Sequence, residues 1–305
     1  MALALLRSLR PEQWTKNGVL FAGVIFAIRL GDARALLTVV EAFAVFCALS
    51  SALYVANDVL DAESDRRHPW KRNRPIAAGL IPEWVAWLVA LVLGLGALLL
   101  GARLGRPFFH TQLTYAALMA GYAVVLKRVP VLDVLTIAIG FVLRAAAGAV
   151  VIEVLISPWL FICALLLALL LALAKRRQEA IAFESLGQPA RPGWSGYSTA
   201  LLDQMIAAIA AATVVCYCLY TLAPGTMAKF ATTSLVYTIP FVIYGIFRYV
   251  YLVRERGQGE RPERILYTDA PLIVAIVLWA AVAVLAIYGH LPEPPIERFA
   301  GGGMI

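Results

Sequence analysis

Apolar runs of close to 20 residues recur along the chain, at roughly 17–30, 35–57, 82–102, 108–126, 131–152, 156–176, 199–222, 230–253 and 270–290. About 20 apolar residues in a helix cover the hydrocarbon core of a bilayer. A helix also satisfies its own backbone hydrogen bonds in lipid, so the pattern predicts an all-α integral membrane protein of about nine transmembrane helices. The first run is short and needs the stretch 11–16 to reach full length. Pro11 to Asn17 interrupts any hydrophobic region of a cleavable signal peptide. Neither a strand pattern nor a low-complexity linker divides the chain, which predicts one transmembrane domain over 1–305. Gly101 and Gly105 form a GxxxG at the end of the third run, compatible with a helix contact or with a plain helix end.

Composition sharpens this picture. The chain is 62% hydrophobic and only 15% charged, where a soluble domain carries about a quarter charged residues. Placing the N-terminus in the cytoplasm puts 18 lysines and arginines in the inner connections and six in the outer ones. That bias predicts a multi-pass protein of the cell membrane with its polar loops 58–81, 127–130, 177–198 and 254–269 on the cytoplasmic side. Trp14, Trp70, Trp84, Trp159 and Trp194 fall near run ends, as interfacial aromatics do. The net charge of +7 follows from topology and from attraction to anionic headgroups. Nucleic acid is not an expected partner, because the basic residues sit in short, bilayer-tethered loops. Cys47, Cys163, Cys216 and Cys218 lie inside runs without metal-ligand spacing and read as small buried hydrophobes.

The densest chemistry is Asn57-Asp58-Val59-Leu60-Asp61-Ala62-Glu63-Ser64-Asp65, followed by Arg66, Arg67, Lys71, Arg72 and Arg74. The second run ends without a helix breaker, so the helix is predicted to continue through the acids. Asp58, Asp61 and Asp65 then share one face at i, i+3 and i+7. Like charges stacked in this way need a cation between them. Carboxylate oxygens are hard ligands, and Mg²⁺ typically takes one or two carboxylates together with substrate phosphate oxygens. Asn57 adds an amide in the same turn. The basic residues that follow supply forks and point charges for phosphate, with His68 a weaker candidate. Pro75 and Gly79 are predicted to turn the loop back toward the third helix.

Other polar groups gather at the same ends of the runs. Lys127 and Arg128 close the fourth and Asp133 opens the fifth. Arg144 lies about 16 Å deeper at about 1.5 Å per residue. A mid-span arginine costs about 2.5–3.5 kcal/mol on insertion scales, so it must face a polar cavity or a partner. Lys175, Arg176 and Glu179 close the sixth run, with Lys175 and Glu179 at i, i+4. Tyr197, Arg248 and Asp269 complete the set. No metal pattern or nucleophilic triad involves the three histidines.

These residues resemble a known family. Asn57-Asp58-x-x-Asp61-x-x-x-Asp65, followed by Asn73-Arg74-Pro75-Ile76 and Gly79, is similar to the first acidic motif of the UbiA-type membrane prenyltransferase superfamily. Within it, the chain resembles the decaprenyl-phosphate phosphoribosyltransferase branch. The pieces that carry this are Arg10-Pro11-x-Gln13-Trp14-x-Lys16-Asn17, Asp61-x-Glu63-x-Asp65-Arg66-x-His68-Pro69-x-Lys71-Arg72, Lys175-Arg176, Arg248-Tyr249, Gly259-Glu260-x-Pro262-Glu263 and Asp269.

The resemblance implies nine helices around a central cavity and a Mg²⁺-dependent transfer at the cytoplasmic face. A polyprenyl phosphate lipid would attack C1 of 5-phosphoribosyl 1-diphosphate and release pyrophosphate, as in cell wall biosynthesis. Asp58, Asp61 and Asp65 would hold the metal. Lys16, Asn57, Arg66, Lys71, Arg74, Lys127, Arg144, Lys175, Arg176, Glu179, Tyr197 and Arg248 would bind the substrates. One departure from the wider superfamily is that the second aspartate-rich motif is replaced by Lys175-Arg176-Arg177-Gln178-Glu179, which favours a basic phosphate pocket over a second metal cluster. The alternatives are prenyl transfer from a prenyl diphosphate to an aromatic acceptor and, from another class, a transporter. The membrane surface leaves room for a homo-oligomer.

Overall fold

The computed structural model describes residues 1–27, 29, 31–67, 71–155, 157–185, 197–257, 265, 268–289 and 291–294. His68, Trp70, Trp194 and the Gly259–Glu263 motif lie outside the described residues. The chain forms two compact units, the first taking in Met1–Ile156 and the second beginning at Ser157.

In the first unit, α1 (Ala2–Ser8) leads into a 3-10 helix over Pro11–Phe21 and a short α2 (Ala22–Phe26). Next come α3 (Ala33–Leu60), α4 (Ala62–Arg66), α5 (Glu83–Arg103), α6 (Arg106–Val124) and α7 (Leu132–Val150). Asp32 caps α3, its carboxylate accepting from the Arg34 and Ala35 amides. The α3 core face, with Val39, Ala42, Phe46 and Leu49, packs with Phe108 and Tyr115 of α6. Gly101 of α5 is a true helix contact, because Gln112 of α6 inserts against it and donates to the Ala97 carbonyl at 3.0 Å. In the second unit, α8 (Pro158–Ser185) pairs with α9 (Thr199–Leu222), followed by α10 (Pro224–Phe230), α11 (Ile239–Arg254) and α12 (Ala270–Ile287).

Among the described residues seven helices, not nine, are long and apolar enough to cross a membrane. The protein is an all-α, multi-pass membrane protein, and two of the predicted spans take other forms. α6 has the length, but Arg106, His110 and Gln112 dilute its hydropathy. The first predicted span is broken instead into the 3-10 helix and α2, since Pro11 and the polar residues through Asn17 favour neither a regular helix nor lipid contact.

That broken segment packs with its backbone directly on α7. A Cβ built at Gly148 would lie 1.9 Å from the Leu20 carbonyl oxygen, and one at Gly23 would lie 2.9 Å from the Gly148 oxygen. Backbone cannot yield as a flexible side chain does. Gly148→Ala is therefore expected to lose at least about 1–3 kcal/mol, the usual range for overpacking. Thermal unfolding in detergent checks this, and an unchanged midpoint would remove the contact from the fold.

Candidate active site

The acidic motif sits where α3 hands over to α4. Asp61 is the joint, with φ −93° and ψ −1°, yet the backbone bonds continue through it: Asp61 N–H donates to Asn57 and Asp65 N–H to Asp61. The run-on helix predicted from the sequence is present with one softened residue. Asp58 and Asp65 are almost fully buried, at 3% and 1% exposure.

The chain after α4 returns through a turn closed by Leu80 N–H to the Pro75 carbonyl, with Gly79 at φ +73°, a conformation that glycine adopts without penalty. Ile76 and Ile81 bury themselves with Val55, Ala62, Ala86 and Ala90. This apolar anchor fixes Arg74. Its Nη1 donates to Asp58 Oδ1 at 2.9 Å and to Asp65 Oδ2 at 2.6 Å, so two carboxylates about two helical turns apart converge on one point of positive charge. Arg10 Nη2 reaches the same Asp58 oxygen at 2.6 Å. Asp61 turns to another partner, Lys127, whose Nζ lies 2.7 Å from Oδ1 and 3.2 Å from the Asn57 amide oxygen. Asn57 in turn donates to Asp61 Oδ2 at 3.2 Å. Three carboxylates thus meet two guanidiniums and an ammonium.

The acids do not draw together into a ready-made cage: among the described residues no group of three or more carboxylate, thiol or imidazole side chains is placed to hold a metal. The donor set nonetheless suits Mg²⁺. Asp58 and Asp65 offer hard oxygens around one cationic point, and Mg²⁺ needs only one or two carboxylates when phosphate oxygens complete its shell.

Of the other basic residues of the loop, Arg66 holds the exposed Glu83 at 3.0 Å and the Ala77 carbonyl, and Arg67 pairs with Glu63. Lys71 and Lys16 are half-buried, the latter in the 3-10 helix. Arg144 is 5% exposed in α7. Its Nε donates to Asn17 Oδ1 at 2.8 Å and its Nη2 to the Tyr115 hydroxyl at 2.6 Å, and the guanidinium lies 4.7 Å from the Tyr115 ring centre. Both hydrogen-bond partners are uncharged side chains, so they orient the guanidinium without pairing it to a carboxylate.

Within the second unit, Glu179 pairs with Arg176 at 2.6 Å rather than with Lys175, which is exposed. The i, i+3 arginine has the longer, forked reach. Arg177 takes Asp203 of α9 at 2.7 Å, and Arg254 of α11 approaches the same oxygen at 3.2 Å. Tyr197 is half-buried just ahead of α9. Arg248 forks onto Asp269 at 3.1 and 2.8 Å, and Asp269 also accepts the Leu272 amide at the start of α12. The Arg248 hydrogen bonds, and after them the Leu272 amide, hold the Asp269 carboxyl below its ordinary range.

Arg10 and Tyr115 in the first unit and Asp203 in the second are polar partners that the sequence reading does not single out as functional residues. Arg10 carried a signal, since it opens the Arg10-Pro11 motif. Tyr115 and Asp203 carried none, because their partners lie 29 and 26 residues away.

A family model described as the UbiA prenyltransferase family matches residues 18–268. The chain belongs to this family. Decaprenyl-phosphate phosphoribosyltransferase of Mycolicibacterium smegmatis is 33% identical to it over 297 residues, covering 93% of this chain and 92% of that protein. The protein of the same name from Corynebacterium glutamicum is 33% identical, covering 94% and 88%. A UbiA homolog from Archaeoglobus fulgidus, solved bound to GPP and Mg²⁺, superposes with a TM-score of 0.69 at 21% identity, over 93% of this chain and 99% of that one. At that identity the likeness speaks to the UbiA fold alone.

Proposed function

We propose that this UbiA-family chain transfers the 5-phosphoribosyl group from 5-phosphoribosyl 1-diphosphate to a polyprenyl phosphate of the decaprenyl type, releasing pyrophosphate at the cytoplasmic face of the cell membrane. The observation that carries the reading is the similarity to decaprenyl-phosphate phosphoribosyltransferase over 93% of this chain and 92% of that protein. The acids interleaved with cations where α3 meets α4 supply chemistry that such a reaction needs.

Asp58 and Asp65, with Asp61 and Asn57 beside them, are the residues that would hold Mg²⁺. The bound metal would offset the charge of the diphosphate as it departs. The chain's own cations do related work. As the C1–O bond breaks, positive charge grows on the ribose and negative charge on pyrophosphate. Arg74, fixed by its two carboxylates, needs little reorganisation to face that growing negative charge, and so favours the transition state over the ground state. The nucleophile is a phosphate monoester, whose second ionisation lies near pH 6, so it arrives as an anion. No general base is required of the protein. Arg144, oriented by two neutral partners, is proposed with Lys127 for the lipid phosphate. Lys16, Arg66, Lys71, Lys175, Arg176, Glu179, Tyr197 and Arg248 remain proposed substrate contacts.

Purified protein incubated with Mg²⁺, polyprenyl phosphate and radiolabelled 5-phosphoribosyl 1-diphosphate is expected to yield lipid-extractable label. Absence of label, with product formed from a prenyl diphosphate and an aromatic acid instead, would replace this reading by prenyl transfer. Topology is tested separately. A cysteine in place of the exposed Ser64 is expected to react with impermeant reagents only from the cytoplasmic side, and one in place of Ala231 only from outside. The opposite labelling would overturn the cytoplasmic placement of the donor.

A further inference from the structure

Arg10 stands apart from the other cations of the first unit. Its backbone is left-handed, with φ 53° and ψ 60°, and it directly precedes Pro11. Non-glycine residues seldom adopt this conformation, and a residue ahead of proline is pushed toward extended backbone. Such strain persists only where the surroundings over-determine it, and it concentrates at functional sites. Here the surroundings are specific. Ser51 of α3 donates to the Leu9 carbonyl at 2.8 Å and accepts from the Trp14 indole at 2.9 Å, bracing the chain on both sides of Arg10. Gln13 N–H closes on the Arg10 carbonyl at 2.8 Å. The side chain then lies 5.2 Å from the Tyr54 ring centre and donates to Asp58.

The hydrogen bonding of this guanidinium is incomplete. Among the described residues Asp58 is its one side-chain acceptor, although an arginine has five N–H donors. The Arg10 side chain is 21% exposed while Asp58 is 3% exposed, so the guanidinium keeps accessible surface where the acid has almost none. Charge sharpens the point. Asp58 and Asp65 are balanced by Arg10 and Arg74, so a divalent cation arriving alone would leave two positive charges in excess. A divalent cation arriving with a diphosphate would not, because the anion offsets it and gives Arg10 a new acceptor.

We infer that Arg10 is a donor-binding residue that makes metal and diphosphate enter together: it guards Asp58 in the free protein and passes to a phosphate oxygen when the metal–diphosphate arrives. The inference rests on the reading of these acids as the site of the metal-bound diphosphate. It assigns Arg10 a role distinct from Arg74, whose two carboxylates hold it in place.

Arg10→Gly tests this without straining the backbone, since glycine adopts φ 53° freely; Asp58 keeps Arg74 at 2.9 Å, so thermal unfolding should show the variant still folded. Mn²⁺ alone, titrated into detergent-purified protein and followed by electron paramagnetic resonance, is expected to bind the variant several-fold more tightly than wild type, because Asp58 has lost a competing cation. Binding of 5-phosphoribosyl 1-diphosphate with Mg²⁺, measured by calorimetry, is expected to weaken about 10- to 150-fold, the loss of one charge-assisted hydrogen bond. Arg10→Lys, which keeps the charge without the fork, should fall between. Opposite effects on the two ligands are the signature, since a merely structural residue would weaken both. Equal or weaker Mn²⁺ binding in Arg10→Gly, or unchanged donor binding, overturns the inference. Failure of wild type to bind the donor would instead defeat the reading of the site itself.

Discussion

Asp58→Asn is expected to cut transfer by roughly 10²- to 10³-fold or more, the scale seen when one preorganised electrostatic partner of a transition state is removed. The amide keeps the shape of the side chain but loses the charge on which Arg10 and Arg74 converge. The folded protein should survive. Arg74 retains Asp65 at 2.6 Å, and the side chains of Arg10 and Arg74 are 21% and 26% exposed, so both can regain water. Removal of divalent cations from wild type by EDTA should reproduce the defect, and Mg²⁺ should reverse it. Near-normal transfer by Asp58→Asn would take Asp58 out of the reaction.

Arg74→Met is expected to act mainly on stability. It strips the shared counter-ion from two carboxylates that are 3% and 1% exposed. Removing one partner of a buried pair typically costs about 3–5 kcal/mol when the remaining charge is left with neither water nor partner, and here Asp58 keeps Arg10 at 2.6 Å. The partial exposure of Arg74 places the loss toward the lower end of that range. The double variant Arg74→Met/Asp65→Asn should recover part of it, since the second change removes one of the two charges that Arg74 had offset. Thermal unfolding of the three variants in detergent decides the matter. If the double variant is no more stable than Arg74→Met, the bond from Arg74 to Asp65 is not what holds the loop.

Much of this was legible along the chain. The span predicted over 199–222 coincides with α9, and α12 begins at the predicted residue, since Ser198 and Asp269 are capping residues and the runs behind them are uninterrupted. The acidic motif was legible for a related reason: residues three to seven apart on a helix share a face whatever the rest of the fold does. Long-range pairing was not. Arg144 was recognisable as a buried charge in want of a partner, but Asn17 lies 127 residues away, and nothing in the sequence near either one points to the other. The pairing of Glu179 with Arg176 was missed because i, i+3 and i, i+4 partners compete on equal terms until the side chains are placed. The first span failed for want of an α-helical pattern between Pro11 and Asn17, where the chain trades regular structure for close backbone packing on Gly148.

The neutral partners of Arg144 bear on how the protein is made. Both Asn17 and Tyr115 precede Arg144 in the chain, so each has left the ribosome before α7 does. A lone arginine at mid-membrane would cost about 2.5–3.5 kcal/mol to insert. Here the acceptor oxygens and the aromatic face that offset this cost are already synthesised. α7 is thus a helix whose entry into lipid depends on its predecessors, and biogenesis of this unit has a built-in order: the broken N-terminal segment and α6 first, α7 onto them. Shortening the chain from its N-terminal end past Asn17 should impair the insertion of a helix more than a hundred residues downstream.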